Sequence, residues 1–227
     1  MKTLPRLVEV RQRVLKQNDL VARELRQRFL EGGIYVVSLV SSPGSGKTAF
    51  LERTLAIARE KYRTAALVGD LATDNDAVRL ARSGAPVKQI TTGTVCHLEA
   101  EMVKNALEGW MEPGLELLFV ENVGNLVCPS SYDLGENLRL VMMSVTEGED
   151  KPLKYPTIYN TADVAVVTKM DLVRAVEFDV EAAHFNIRSV RPGMEILDVS
   201  VKTGDGMDQW MEFLEARMAE SRVEAKR

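Results

Sequence analysis

The chain has 227 residues, a formal net charge of −4 and a sequence pI near 5.4. That length suits one α/β unit with a sizeable core, and the acidic balance provides no electrostatic footprint for nucleic acid or an anionic membrane. No apolar run approaches the ~20 residues of a spanning helix, and Met1-Lys2-Thr3-Leu4-Pro5-Arg6 has no uninterrupted apolar stretch, so the expectation is a cytoplasmic protein.

Residues 6–31 place Leu7, Val10, Val14, Leu25 and Phe29 among charged residues at helical spacing, and Gly32-Gly33 stops the pattern. This predicts an N-terminal helix within 1–32 whose apolar stripe serves either its own domain or a partner. An apolar β-branched run from Val36 then breaks into Ser41-Ser42-Pro43-Gly44-Ser45-Gly46-Lys47-Thr48-Ala49, a phosphate-binding loop between a strand and a helix. Gly44 and Gly46 let the backbone around Ser45 curl so that N–H groups face phosphate oxygens. Lys47 adds a cation, the Thr48 hydroxyl can ligate Mg²⁺, and the following helix aims its N-terminus at the same phosphates. Ser41 stands where the usual pattern has glycine.

A helix is predicted near 47–62, a strand near 65–69, a helix near 76–83, a strand near 87–91 and a helix near 98–108. Apolar runs recur at Leu115 to Val120, Leu138 to Val145, Val164 to Val167 and Glu195 to Val199. Strands of this kind separated by helices predict an α/β fold, a mostly parallel sheet covered on both faces. Residues 122–136 and 146–158 read as long loops. The nucleotide domain is expected over 33–220, followed by a charged, frayed tail over 221–227.

Ligands of such sheets sit at the carboxyl ends of the strands. After the second strand, Asp70 is a candidate for the metal shell and Asp76 for the γ-phosphate neighbourhood, with Asp74 or Asn75 as helix caps. Glu121 closes the next central strand and can hold Mg²⁺, and Gly124 can approach the γ-phosphate. Thr168-Lys169-Met170-Asp171 and Ser200-Val201-Lys202 resemble the guanine-reading pair of GTPases. In that pair the Asp171 carboxylate accepts from guanine N1–H and the 2-amino group, while Lys169 and Lys202 lay their stems on the base. Thr168 replaces the usual asparagine.

Cys96 and His97 are adjacent on a glycine-containing turn read as opening a helix, where a thiol gains thiolate character, and Cys128-Pro129 lies on the same expected rim. They are either buried small residues or functional ligands. Two thiolates and one imidazole are too few to close a tetrahedral zinc site in one chain, and a two-fold dimer would double them.

Taken together, the phosphate loop, Gly69-Asp70 with Asp76-Ala77, Thr92-Gly93 leading into Cys96-His97-Leu98-Glu99-Ala100, and Glu121-Asn122-Val123-Gly124-Asn125-Leu126-Val127-Cys128-Pro129 resemble the HypB family. The likeness spans about residues 35–215 and includes Leu134-Gly135-Glu136-Asn137 and Ser144-Val145-Thr146-Glu147-Gly148. These are GTPases that insert nickel during maturation of [NiFe]-hydrogenase. The resemblance implies a P-loop NTPase fold of the SIMIBI class and hydrolysis of GTP to GDP and phosphate. Lys47, Asp70, Asp76 and Glu121 would take part in that step, with Mg²⁺ held by Thr48 and by Asp70 or Glu121. It further implies a homodimer promoted by GTP, with nickel or zinc bound at its interface by Cys96, His97 and Cys128. A nickel metallochaperone would dock near the N-terminal helix, and the hydrogenase large subunit would receive the metal. The rival readings are a urease-type nickel-insertion GTPase, a P-loop small-molecule kinase and a metal sensor that uses nucleotide only structurally.

Overall fold

A computed structural model of the chain describes residues 5–70, 75–111 and 113–224. Seven strands form one sheet in the order β3-β2-β4-β1-β5-β6-β7, with every neighbouring pair parallel. They are β1 (Tyr35–Ser41), β2 (Thr64–Asp70), β3 (Val87–Thr91), β4 (Leu117–Glu121), β5 (Leu138–Ser144), β6 (Val164–Thr168) and β7 (Glu195–Val199). The chain builds outward from β1 on one side with β2 and β3, returns to insert β4, then builds the other side. The order therefore reverses at β1, and the crevice at its carboxyl end is the place where such sheets bind ligands.

Both faces of β1 are buried, so alternate residues enter different cores. Val37 and Leu39 pack with Phe50 and Leu51 of α2 (Lys47–Ala58) and with Trp210 of α8 (Met207–Glu224). Val36 joins a second core under α1 (Pro5–Gly32) and α4 (Ala100–Leu107), whereas Val40 joins a third with α6 (Pro156–Thr161) and α7 (Val180–Val190). Buried Trp210 donates to Thr54 Oγ1 at 3.0 Å, so its polar atom is satisfied inside the core.

The predicted strands and the helices around them are present with shifts of at most four residues at their ends. Three expectations are corrected. The segment 146–158 is not a loop: α5 (Lys151–Lys154) and α6 form there, each with proline in its first turn, and Ile158 and Tyr159 are fully buried. The other loop, 122–136, contains a 3₁₀ turn at Cys128–Ser131. The charged tail does not begin at 221, because α8 continues to Glu224; residues 225–227 lie outside the described ones, as do Asp74 and the side chains of Leu7 and Val10. Among the described residues no helix is long and apolar enough to cross a membrane.

The C-terminal half of α1, with the stripe residues Leu25 and Phe29, packs on its own domain. Val21, Ala22, Leu25 and Phe29 are buried against the α4 side of the sheet, while Val14, Leu20 and Leu30 remain exposed. Gly135 meets this helix so closely that a Cβ there would lie 2.9 Å from Ala22 O. Phe29→Ala should therefore cost about 3–5 kcal/mol, as for a large buried aromatic. Chemical denaturation measures this, and a loss below 1 kcal/mol would mean that the helix is peripheral.

Candidate functional site

The turn after β1 is built by two left-handed glycines, Gly44 at φ +77° and Gly46 at φ +95°. A side chain at Gly44 would touch nothing within 4 Å, so conformation alone requires glycine there. Ser41, the departure from the usual motif, is fully buried and used. Lys47 Nζ donates to its Oγ at 2.9 Å, Ser45 Oγ also bonds it, and Ser41 Oγ donates to Ser42 O at 2.7 Å. The hydroxyl thus holds Lys47 across the loop.

A cavity of about 500 Å³ opens above this turn, lined by Gly44, Gly46, Lys47, Thr48, Ala49, Asp70, Asp76, Arg79, Glu121 and Gly124 among others. Burial lowers the Lys47 pKa, opposed by the charges of Glu121 and Asp76. Thr48 Oγ1 donates to Glu121 Oε1 at 2.8 Å. Burial pushes Glu121 up to about 7, although Lys47 and Thr48 both favour its charge. Its other oxygen, Oε2, is buried and accepts no hydrogen bond among the described residues. Thr48, Asp70 and Glu121 line the same cavity, and hydroxyl and carboxylate oxygens are hard donors of the kind that suits Mg²⁺. Gly124 packs on the turn itself, where a Cβ would lie 3.1 Å from Pro43.

The predicted base-reading residues meet at the neighbouring rim and are tied to the phosphate loop. Thr168 Oγ1 lies 2.5 Å from Ser45 O, and Lys169, in a left-handed conformation, reaches Gly44 O with Nζ at 2.7 Å. Threonine in place of asparagine thus still joins the two motifs. Asp171 Oδ1 accepts from buried Ser200 Oγ at 2.8 Å, and Lys202 Nζ stands 3.8 Å from its other oxygen. Val201 follows in the same turn, half-buried against the core around α2.

The sulfur and imidazole residues also converge. The donor atoms of Cys96, His97 and Cys128 all lie within 4.8 Å of one another, with the two Sγ atoms 2.8 Å apart and His97 Nδ1 3.9 Å from Cys96 Sγ. Burial lowers the His97 pKa, which keeps its ring neutral and its lone pair available near pH 7. The Tyr132 ring backs the imidazole at 4.0 Å between centroids. One expectation fails here. The helix starts at Ala100 with Glu99 as its cap, so Cys96 is four residues upstream and does not sit at the helix N-terminus. Two thiols and a neutral imidazole suit nickel or zinc.

Residues 35–198 match the family described as CobW/HypB/UreG, nucleotide-binding domain. The hydrogenase maturation factor HypB of Azotobacter vinelandii is 45% identical over 221 residues, 97% of this chain and 73% of that protein. The hydrogenase/urease maturation factor HypB of Helicobacter pylori is 40% identical over 212 residues, covering 91% and 86%. A crystal structure of HypB from Helicobacter pylori in complex with nickel superposes with a TM-score of 0.85 at 40% identity, over 90% of this chain and 96% of that one. The chain belongs to the CobW/HypB/UreG family, within its HypB branch.

In this member of the HypB branch the phosphate cavity and the thiol cluster are joined by residues to which the sequence alone assigned no role. Asn122, next to Glu121, accepts with Oδ1 from Leu98 N and from Val123 N, both at 2.9 Å. Leu98 directly follows the Cys96-His97 pair, and its side chain covers Gly69, where a Cβ would be 2.8 Å away. The turn bearing Cys96 and His97 is therefore fastened to the ends of β2 and β4, both of which reach the cavity above the Gly44–Gly46 turn. Arg79, another residue not anticipated, lines that cavity while paired to Glu52 at 2.8 Å.

The raised pKa of Glu121 has a definite stability signature. Its folded value exceeds the unfolded one, so the stabilisation is full below about pH 4.5 and is lost as pH rises through about 7. Glu121→Gln removes that titration. In the ligand-free protein it should therefore become relatively more stabilising, or less destabilising, at pH 7.5 than at pH 5.5. Urea unfolding of both proteins at the two pH values checks this, and a difference independent of pH would contradict it.

Proposed function

We propose that the chain is a GTP-hydrolysing metallochaperone that carries nickel as cargo and delivers it to the large subunit of a [NiFe]-hydrogenase. The observation that carries this reading is the fastening of the Cys96-His97 turn, through Leu98 and Asn122, to the strand end that presents Glu121 to the phosphate cavity. The Helicobacter pylori relative crystallised with nickel supports the choice of metal.

On this reading Lys47 and the amides around Gly44 to Thr48 hold the β- and γ-phosphates, where positive charge counters what develops during phosphoryl transfer. Thr48, Glu121 and Asp70 are the candidates to hold Mg²⁺, which when bound would neutralise phosphate charge. Asp76 and Gly124 face the γ-phosphate region. Asp171 reads guanine, because its carboxylate accepts where guanine donates and adenine does not. Ser200 orients that carboxylate, and Lys169 and Lys202 flank the base.

Cys96, His97 and Cys128 form a three-donor set that leaves coordination open, suited to metal that must later depart. A homodimer promoted by GTP would bring two such sets together, and a nickel metallochaperone would be the exchange partner. Zinc satisfies the same donors, so competition between the two metals belongs in the same titrations.

Asp171→Asn should lower GTP affinity about tenfold or more, since an amide donor facing guanine's donors leaves a mismatch of ~1–3 kcal/mol. Xanthosine triphosphate, which presents a carbonyl there, should bind the variant better than GTP. Retention of the wild-type preference would remove Asp171 as the reader. Lys47→Ala should abolish phosphate release with little change in thermal midpoint, and undiminished turnover would remove the phosphate loop from the chemistry.

A further inference from the structure

One buried polar side chain belongs to neither the phosphate cavity nor the thiol cluster, yet touches both segments that carry the metal donors. Asn18, in the middle of α1, is 6% exposed. Its Nδ2 donates to Asp133 O at 2.8 Å and its Oδ1 accepts from Ala100 N at 2.8 Å. Ala100 opens α4 three residues after His97, and Asp133 follows the 3₁₀ turn that starts at Cys128.

The Ala100 amide needs this bond. The Ala100 N–H is one of the amides at a helix start that the helix itself cannot satisfy. The Asp133 side is continuous with Tyr132, whose ring backs His97 and whose carbonyl accepts from Arg139 Nη2 at 2.6 Å. Only a carboxamide supplies a donor and an acceptor at this reach; Asp lacks the donor and Leu, of similar size, lacks both. The bridge is reinforced alongside by Arg26 on the Asp133 carboxylate at 2.7 Å and by Lys104 on Glu24 at 3.1 Å.

We propose that Asn18 is a positioning residue of the metal site. By bridging the Cys96-His97 segment to the Cys128 segment it fixes the spacing of the three donors, so α1 sets metal affinity without touching the metal. This rests on the reading that Cys96, His97 and Cys128 bind nickel. Groups that orient metal ligands typically contribute about 10–100-fold in affinity.

The test titrates nickel into the full chain as wild type, Asn18→Leu, Asn18→Asp and Cys96→Ala, following the sulfur-to-nickel charge-transfer absorption and measuring GDP affinity on the same samples. Asn18→Leu should weaken nickel by about 10–100-fold and alter the absorption band, with GDP affinity within about twofold of wild type. Asn18→Asp keeps the bond from Ala100 and loses the one to Asp133, so about tenfold weakening is expected; it carries the test alone if Asn18→Leu does not fold. Nickel affinity and absorption unchanged in a folded Asn18 variant, with Cys96→Ala binding none, would overturn the inference alone. Parallel losses of nickel and GDP affinity would overturn it too, since they report general loosening. Equal binding by wild type and Cys96→Ala would overturn the metal assignment itself.

Discussion

The arrangement depends on two consecutive residues at the end of one buried strand. β4 is central and hydrogen-bonded on both sides, so its last residues are held as firmly as any in the sheet. Glu121 turns its carboxylate to Thr48 and the phosphate cavity, while Asn122 turns its carboxamide to Leu98 N beside the thiol–imidazole turn. A shift of the Glu121 backbone that alters the bond to Thr48 must also pull on Leu98. The side chain of Leu98 cannot yield freely, because it already fills the space above Gly69 next to Asp70. On the proposed reading this is the element that lets nucleotide state bias metal affinity, and linkage requires the reverse effect to be equal.

The phosphate cavity stores an electrostatic cost that ligands are suited to remove. Lys47 and Glu121 are both buried, and burial disfavours the charged form of each. A carboxylate oxygen with no hydrogen bond among the described residues and an ammonium held by a serine hydroxyl are poorly solvated as they stand. Phosphate oxygens beside Lys47 and a divalent cation beside Glu121 would supply the missing partners. The same residues that would hold GTP thus weaken the ligand-free fold locally, a pattern expected of binding sites.

Much of this was legible in the sequence because it was local. Val36 to Val40 reads as a doubly buried strand, the Gly44 to Thr48 turn has its phosphate logic within a few residues, and the adjacency of Cys96 and His97 announces itself. The ends of strands were legible as places, which is how Glu121, Asp171 and Cys128 were singled out without knowing their distances. What stayed hidden is long-range. Asn18 is one polar residue on a mostly polar helix, and its meaning comes from partners 82 and 115 residues away. Asn122 was visible in its motif, but its partner Leu98 lies across a chain crossover. The stripe of α1 told that a face is buried and not against what. Helices α5 and α6 are too short for periodicity to reveal; α5 buries Pro152, and Ile158 and Tyr159 draw α6 into the core.

Coupling of the two sites is a thermodynamic quantity, and a single cycle measures it. Nickel affinity is measured with GDP and with a non-hydrolysable GTP analogue bound, and affinity for each nucleotide is measured with and without nickel. Nickel affinity should differ by about fivefold or more between the two nucleotides, and nickel should change their relative affinity by the same factor. Replacing Asn122 by alanine should shrink that factor toward one while Thr48 and Glu121 stay in place. Identical nickel affinity in the two nucleotide states of the wild-type protein would show that the two sites are uncoupled.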